Sequence, residues 1–171
     1  SFIDGGSIYL ASDGVIAFPV MVDPMVLYYN RDMLSNEGIV STPTTWDELF
    51  DLNSKLTKKK SDGTILQSMI ALGRYDNISH AKEILATLLL QSNNPIIKPV
   101  ENSYAVTLND NPASLATPPV EQILNFFTEF SNPSTEAYSW NKSLDKSIDA
   151  FTGGKLAFYL GNASELFKIE S

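Results

Sequence analysis

Apolar residues occur along the chain in short runs with the spacing of strands or of helices. A mostly β-type run covers Val15 to Tyr29 and contains Pro19 and Pro24. It predicts a buried strand with bends, because proline cannot donate a hydrogen bond within a sheet. Three later runs also predict strands, namely SMIAL at 68–72, SYAVTL at 103–108 and LAFYL at 156–160.

Segments with helical spacing separate these strands. They predict helices over 31–36, 45–60, 79–91, 117–130 and 143–152, and a last helix after the turn at 161–164. The second helix opens on Thr45-x-x-Glu48, the sequence of a capping box. Trp46 is its first residue, so we expect a structural role for that side chain. Because strands alternate with helices, the predicted class is α/β with a mostly parallel sheet.

Two segments carry a family resemblance. The first contains Phe18-Pro19, Asp23, YNRDML at 29–34 and PTTWDEL at 43–49, and the second is SIDAFTGGKLAF at 147–158. Their sequence, order and separation resemble the extracellular solute-binding proteins of ABC importers, the family of maltose-binding protein and other sugar-binding lipoproteins. The resemblance covers nearly the whole chain.

The resemblance implies a periplasmic-binding-protein-like fold of type II that is only partly present. Members of that family have two α/β lobes joined by a hinge, with the ligand between them. Residues 1–22 then correspond to a remnant of the first lobe and a hinge-crossing strand, and residues 23–171 to the second lobe without its last returning strand. A single lobe offers half a cleft, so we do not expect tight binding. The edge of its incomplete sheet is expected to pair with another chain.

Three candidate ligand-binding residues lie near the ends of this second lobe. Asp23 is an acid in an apolar run, where a carboxylate needs hydrogen-bond donors or a cleft edge. The resemblance places a ligand-binding acid there, and the alternative is a turn or capping aspartate. Asn162 and Ser164 follow the LAFYL strand, at the kind of strand end where α/β sheets collect ligands. Sugar-binding relatives often have an aromatic residue near Ser164, and the alternative for Asn162 is a helix cap.

Three aromatic residues in loops are further candidates. Trp140 and Tyr138 lie among serine and asparagine, which is unlike a core position and fits stacking on a sugar ring. The alternative is that Trp140 covers a minor hydrophobic cluster. Tyr75 follows the SMIAL strand at its carboxyl end, a position where binding sites form.

Composition excludes several classes of function. The net charge of −8 argues against nucleic-acid or anionic-membrane binding, which require basic patches. The absence of cysteine excludes disulfides and thiolate chemistry. His80 is the single histidine and has no obvious metal-ligand partners, so neither a metal nor a cofactor is expected. No apolar run reaches the about 20 residues of a membrane-spanning helix.

The predicted function is therefore the substrate-binding component of an ABC import system, with a small solute such as a sugar as ligand and a membrane permease as partner. The expected location is outside the cytoplasm, at the periplasm or cell surface. Ser1 opens without an export signal, and we expect the signal and a lipid anchor upstream in a longer parent. Two alternatives stay open, a glycoside-processing enzyme acting through paired carboxylates and an interaction domain without a small ligand. The chain lacks nucleophile-elbow, P-loop, dinucleotide-binding and zinc-protease motifs.

Overall fold

A computed structural model describes residues 10–11, 14–18, 20–101, 103–111 and 114–170. The described residues form two compact units. The first unit contains those of Ser1–Pro24 and Asn162–Ser171, and the second contains those of Met25–Gly161. Assignment of 1–22 and 23–171 to two lobes stays a prediction.

A four-stranded sheet organises the second unit. Its strands are β3 (Met25–Tyr29), β4 (Lys58–Lys59), β5 (Ile65–Ile70) and β8 (Leu156–Asn162), in the order β3-β8-β5-β4. β5 and β8 are parallel, whereas β4 and β5 are antiparallel. The N–H of Asn30, just after β3, donates to the carbonyl of Ala157 near the start of β8, and the N–H of Ala163, just after β8, donates to the carbonyl of Pro24, just before β3. These neighbours therefore also run in opposite directions.

The α/β class is confirmed, but the sheet is mixed rather than mostly parallel. The parallel pair comes from the usual strand–helix–strand pattern. The sequence indicates this pattern because segments with strand spacing alternate with segments with helical spacing. The antiparallel neighbours come from β3, which enters the sheet directly from the first unit, and from the short return after α3 (Asn53–Leu56) into β4. Alternation of helices and strands does not reveal such returns. Pairing of the sheet edge with another chain stays a prediction.

The predicted strand over 15–29 is too long. The only part of this run that joins the four-stranded sheet is Met25–Tyr29, and the described residues of 14–24 are exposed. Val20, for example, is almost fully exposed. Hydrophobicity expresses a preference for burial, but burial requires a second layer of structure. Pro19 lies outside the described residues.

The helices at the start of the second unit show how closely local sequence sets helix ends. α1 spans Arg31–Asn36 as predicted, and Asn30 caps it by accepting a hydrogen bond from the N–H of Met33. α2 spans Trp46–Asp51 and is capped by Thr45. The predicted helix over 45–60 is interrupted at Leu52 and ends at Leu56, because the chain forms the separate α3 and then enters β4.

The later helices start two to four residues after the predicted positions. α4 spans Ala81–Gln91, α5 Pro119–Glu129 and α6 Ser147–Thr152. Ser143 was expected to cap α6, but Lys146 occupies that position. Between α4 and α5, an antiparallel hairpin joins β6 (Ile97–Val100) to β7 (Ser103–Val106).

The core of the second unit lies between the sheet and these helices. Its fully buried side chains come from β5, β8, α3, α4 and the segment after α5, and the largest are Trp140, Tyr159, Phe130, Phe158, Leu56, Met69, Ile70, Leu72 and Ile84. The helices thus bury their apolar stripes against the central strands. This packing fixes the carboxyl end of β5, where a loop with a candidate residue begins.

The first unit contains short elements. β1 (Leu10–Ala11) pairs with β2 (Gly14–Val15) in antiparallel register. A 3₁₀ turn covers Ala163–Glu165 and leads into α7 (Leu166–Ile169). The N–H of Ala163 donates to the carbonyl of Pro24 at 2.9 Å, which joins the two chain segments of this unit.

Candidate functional site

The loop that follows β5 presents Tyr75 to solvent. β5 ends at Ile70, two buried residues follow, and the chain then turns through residues 73–77. The Tyr75 side chain is 78% exposed. The ring is therefore accessible to a ligand, and its role as a contact stays a prediction.

The first end of this loop is held by a close approach of two backbone segments. Gly73 has a φ of +88°, a conformation that favours glycine. A Cβ at this position would lie 2.7 Å from the Cβ of Ser131. The hydroxyl of Ser131 also donates to the carbonyl of Gly73 at 2.9 Å. The loop therefore leaves β5 in a direction that only glycine permits.

The second end of the loop is held by the side chain of Asn77. Its Nδ2 donates to the carbonyls of Asn141 and Leu144, at 2.9 and 3.1 Å. Its Oδ1 accepts a hydrogen bond from the indole Nε1–H of Trp140 at 3.0 Å. The Asn77 carbonyl in turn accepts from the N–H of Ser147. Both donors and the acceptor of the amide are therefore satisfied.

Trp140 is a core residue, so the expectation that it is unlike one is wrong. The side chain is 0% exposed, and its N–H is bonded to Asn77. Its polar sequence neighbours concealed this burial, because the hydrogen-bond partner lies 63 residues earlier in the chain. A ring with no exposed face does not stack on a solute. Trp140 instead supports the loop that carries Tyr75.

An ion pair brackets Tyr75. Arg74 donates from Nε and Nη2 to the two carboxylate oxygens of Asp76, at 2.8 and 2.9 Å. This bidentate bond lowers the pKa of the Asp76 carboxyl from 3.8 to about 2. The two charges compensate each other, so the surface beside Tyr75 is polar without a net charge.

Tyr138 is half-buried and has two polar neighbours. The Lys59 ammonium lies 4.6 Å from the centre of its ring, a cation–π contact. Its hydroxyl oxygen accepts a hydrogen bond from Nδ2 of Asn141 at 2.9 Å. Lys59 therefore occupies one face of the ring that was expected to stack on a sugar.

Asp23 and Ser164 lie together in the first unit. The N–H and hydroxyl of Ser164 donate to the two carboxylate oxygens of Asp23, at 2.8 and 2.7 Å. Both residues are exposed, and Asp23 precedes β3 instead of lying in a buried strand as expected. Asp23 therefore bonds to the 3₁₀ turn from a distant segment of the chain, and its role in ligand binding stays a prediction.

Asn162 precedes the 3₁₀ turn in an extended conformation. Its N–H donates to Oε2 of Glu165 at 2.9 Å. This bond belongs to a capping arrangement, the alternative that the sequence left open for Asn162. Asn162 is half-buried.

Sequence reasoning missed the residues that hold the Tyr75 loop. Asn77 and Ser131 are ordinary polar residues in sequence, and their partners come from distant segments. Gly73 gave a local signal, because a glycine that ends a buried strand often adopts a positive φ. Arg74 and Asp76 gave another, because opposite charges on both sides of an exposed aromatic residue favour an ion pair.

The second unit has concave regions apart from the Tyr75 loop. A groove of about 540 Å³ runs beside β3 and contacts α2 and α4. A smaller cavity of about 370 Å³ lies near the start of β5 and is partly lined by Trp140. Tyr75 lines neither of them. Within the described part of the chain, no group of three or more histidine, cysteine or acidic side chains is placed to hold a metal ion.

Comparison with known families gives one match over almost the whole chain. The family of bacterial extracellular solute-binding proteins matches residues 3–171. This confirms the resemblance carried by the segments at 18–49 and 147–158.

Comparison with solved structures finds the same fold in a solute-binding protein. It is an ABC transporter solute-binding protein from Thermotoga lettingae TMO, crystallised with α-D-tagatose. The two chains superpose with a TM-score of 0.59 at 19% sequence identity. The match covers 86% of this chain and 35% of that protein, so the chain spans about a third of that relative's length.

Proposed function

Because the chain belongs to the family of bacterial extracellular solute-binding proteins, we propose that it binds an uncharged, carbohydrate-like solute for an ABC import system. The observation that carries this proposal is the exposed ring of Tyr75 on a loop braced at both ends. An aromatic ring and polar groups without net charge suit a ligand with apolar C–H faces and many hydroxyls.

The proposed contacts are considered for each compact unit by itself. In the second unit, Tyr75 stacks on the ring of the solute, while Tyr138 contributes its hydroxyl. In the first unit, Asp23 accepts hydrogen bonds from solute hydroxyls, with Asn162 and Ser164 beside it. Trp140 is left out because its side chain is buried.

The ion pair of Arg74 and Asp76 supports an uncharged solute over an ionic one. A charged ligand needs a partner of opposite sign, or its desolvation is not compensated. Here the guanidinium and the carboxylate already compensate each other. Their remaining hydrogen-bonding capacity suits hydroxyl groups, which both donate and accept.

The proposed mechanism is binding without chemical change. Two hinged lobes, as the resemblance implies, close around the solute because contacts with both are made only in the closed state. A membrane permease then receives the solute. The family is extracellular, and no helix in the described part of the chain has the length and apolarity to cross a bilayer. We propose a location in the periplasm or at the cell surface, with a lipid anchor.

Titration calorimetry and NMR with a defined panel test this proposal. The panel contains D-tagatose, D-glucose, maltose and mannitol, with glucose 6-phosphate and glycine as charged controls. Binding of at least one uncharged member, with no conversion to product, is expected. Binding confined to the charged members would contradict the proposed solute class, and product formation would favour an enzyme.

A further inference from the structure

The loop that carries Tyr75 is attached to the protein by residues that are themselves buried. Trp140 is fully buried, and Ser147, whose N–H donates to Asn77, is 1% exposed. The carbonyl of Ile70, where β5 ends, accepts a hydrogen bond from the buried hydroxyl of Ser139 at 3.0 Å. The segment 139–147 thus holds both the end of β5 and the end of the loop.

We propose that Trp140 is a positioning residue for solute binding. Its indole N–H fixes the amide of Asn77, and this amide fixes the loop in the conformation that presents Tyr75. The inference rests on the proposed function, and it extends that function to a side chain that never touches the solute.

The physical reason lies in the cost of ordering a loop on binding. A loop that is already fixed in its bound conformation loses little entropy when the solute arrives, and this raises affinity. The two ends of the loop contribute differently. Gly73 is held by its close approach to Ser131 and by the hydroxyl of that residue, whereas the Asn77 side chain is held by hydrogen bonds to the segment 140–144. The indole of Trp140 is the donor to Oδ1 of Asn77, so it sets the orientation of this amide.

The substitution Trp140→Phe removes this donor and keeps most of the buried ring. Oδ1 of Asn77 then loses a partner in a partly buried place, which is unfavourable. The chain offers a matched control in Trp46→Phe. Nε1 of Trp46 also donates to a side-chain amide oxygen, that of Gln91 at 2.8 Å, and neither residue belongs to the loop.

The first readout needs no solute. Backbone ¹⁵N order parameters of residues 74–76 are measured in the full 171-residue chain and in both variants. We expect order parameters of about 0.85 in the unsubstituted chain and in W46F, and a fall toward about 0.6 in W140F. Thermal unfolding of both variants checks that each remains folded. Unchanged order parameters in folded W140F, or equal changes in both variants, would overturn the proposal.

The second readout is affinity for whichever member of the sugar panel the parent chain binds. W140F is expected to weaken binding about fivefold, the equivalent of one hydrogen bond, while W46F leaves it unchanged. Greater loop motion with unchanged affinity would overturn the positioning role. If the unsubstituted chain binds no member of the panel, the proposed function fails. The order parameters then still decide separately whether Trp140 fixes the loop.

Discussion

Ser164 donates two hydrogen bonds to Asp23 across a separation of 141 residues in sequence. The sequence selected each residue as a ligand contact on separate grounds, and the structure pairs them with each other. Asp23 thereby satisfies the N–H of Ser164 in the 3₁₀ turn. These bonds also link the segment that ends at Pro24 to the segment that begins at Asn162. At both places the chain passes from one compact unit to the other.

This pair predicts a difference between two substitutions. Asp23→Ala removes both bonds, so the Ser164 amide should lose its acceptor and exchange with solvent faster. Ser164→Ala removes only the hydroxyl bond, so the amide of residue 164 should keep its protection. Hydrogen exchange followed by NMR measures both. Equal exchange at residue 164 in the two variants would contradict the role given to Asp23.

Gly73→Ala is expected to destabilise the protein more than Gly63→Ala. Both glycines have a positive φ, +88° and +84°, so each alanine is strained by about 1–2 kcal/mol. A Cβ at Gly63 meets nothing within 4 Å, whereas one at Gly73 collides with Ser131. Overpacking adds about 1–3 kcal/mol at Gly73. Urea unfolding measures both changes, and equal losses of unfolding free energy would show that Ser131 moves aside freely.

The Arg74–Asp76 pair predicts an acid-sensitive bond. Bonding to Arg74 lowers the pKa of Asp76 in the folded protein, so the pair favours folding above the usual pKa of 3.8. This contribution is lost as the pH falls through about 2. NMR titration of the Asp76 carboxyl should give a midpoint near that value, which rises in Arg74→Gln. A midpoint that stays the same in this variant would show that the ion pair is not formed in solution.

Thr45→Ala is expected to lower the free energy of unfolding by about 1 kcal/mol. The Thr45 hydroxyl oxygen accepts a hydrogen bond from the N–H of Glu48 at 3.2 Å. This bond caps the start of α2. Thr45→Ser keeps this acceptor and is the matched control. Urea unfolding should separate the two variants, and equal stability would contradict the capping role.

The sequence predicted those features whose causes lie within a few residues. Asn30 and Thr45 cap helices because their partners are three residues away. Trp46 has the structural role expected of it, since its ring packs edge-on against Phe126 and its N–H is bonded to Gln91. The capping box at Thr45 is altered in one detail, because the Glu48 carboxylate accepts hydrogen bonds from both the N–H and the hydroxyl of Thr44.

Features that depend on distant partners were not predicted. Polar neighbours suggested an exposed Trp140, and only its contact with Asn77 shows why it is buried. The apolar run before Asp23 suggested burial, but the described residues of that run have no covering layer. The candidate site was therefore predicted best at Tyr75, where the end of a buried strand and a following loop are both local signals. The proposed contacts themselves stay predictions.

Tyr75 is the solute contact on which the proposed function depends most, and a titration monitored by ¹H–¹⁵N NMR tests this contact directly. The chain is compared with Tyr75→Ala and with Tyr104→Ala, a control on the β6–β7 hairpin whose side chain is 73% exposed against 78% for Tyr75. An uncharged sugar of the panel should shift the amide signals of residues 73–77 in the parent and in Y104A, and Y75A should abolish these shifts. Shifts that persist in Y75A, or that avoid residues 73–77 altogether, would contradict the account.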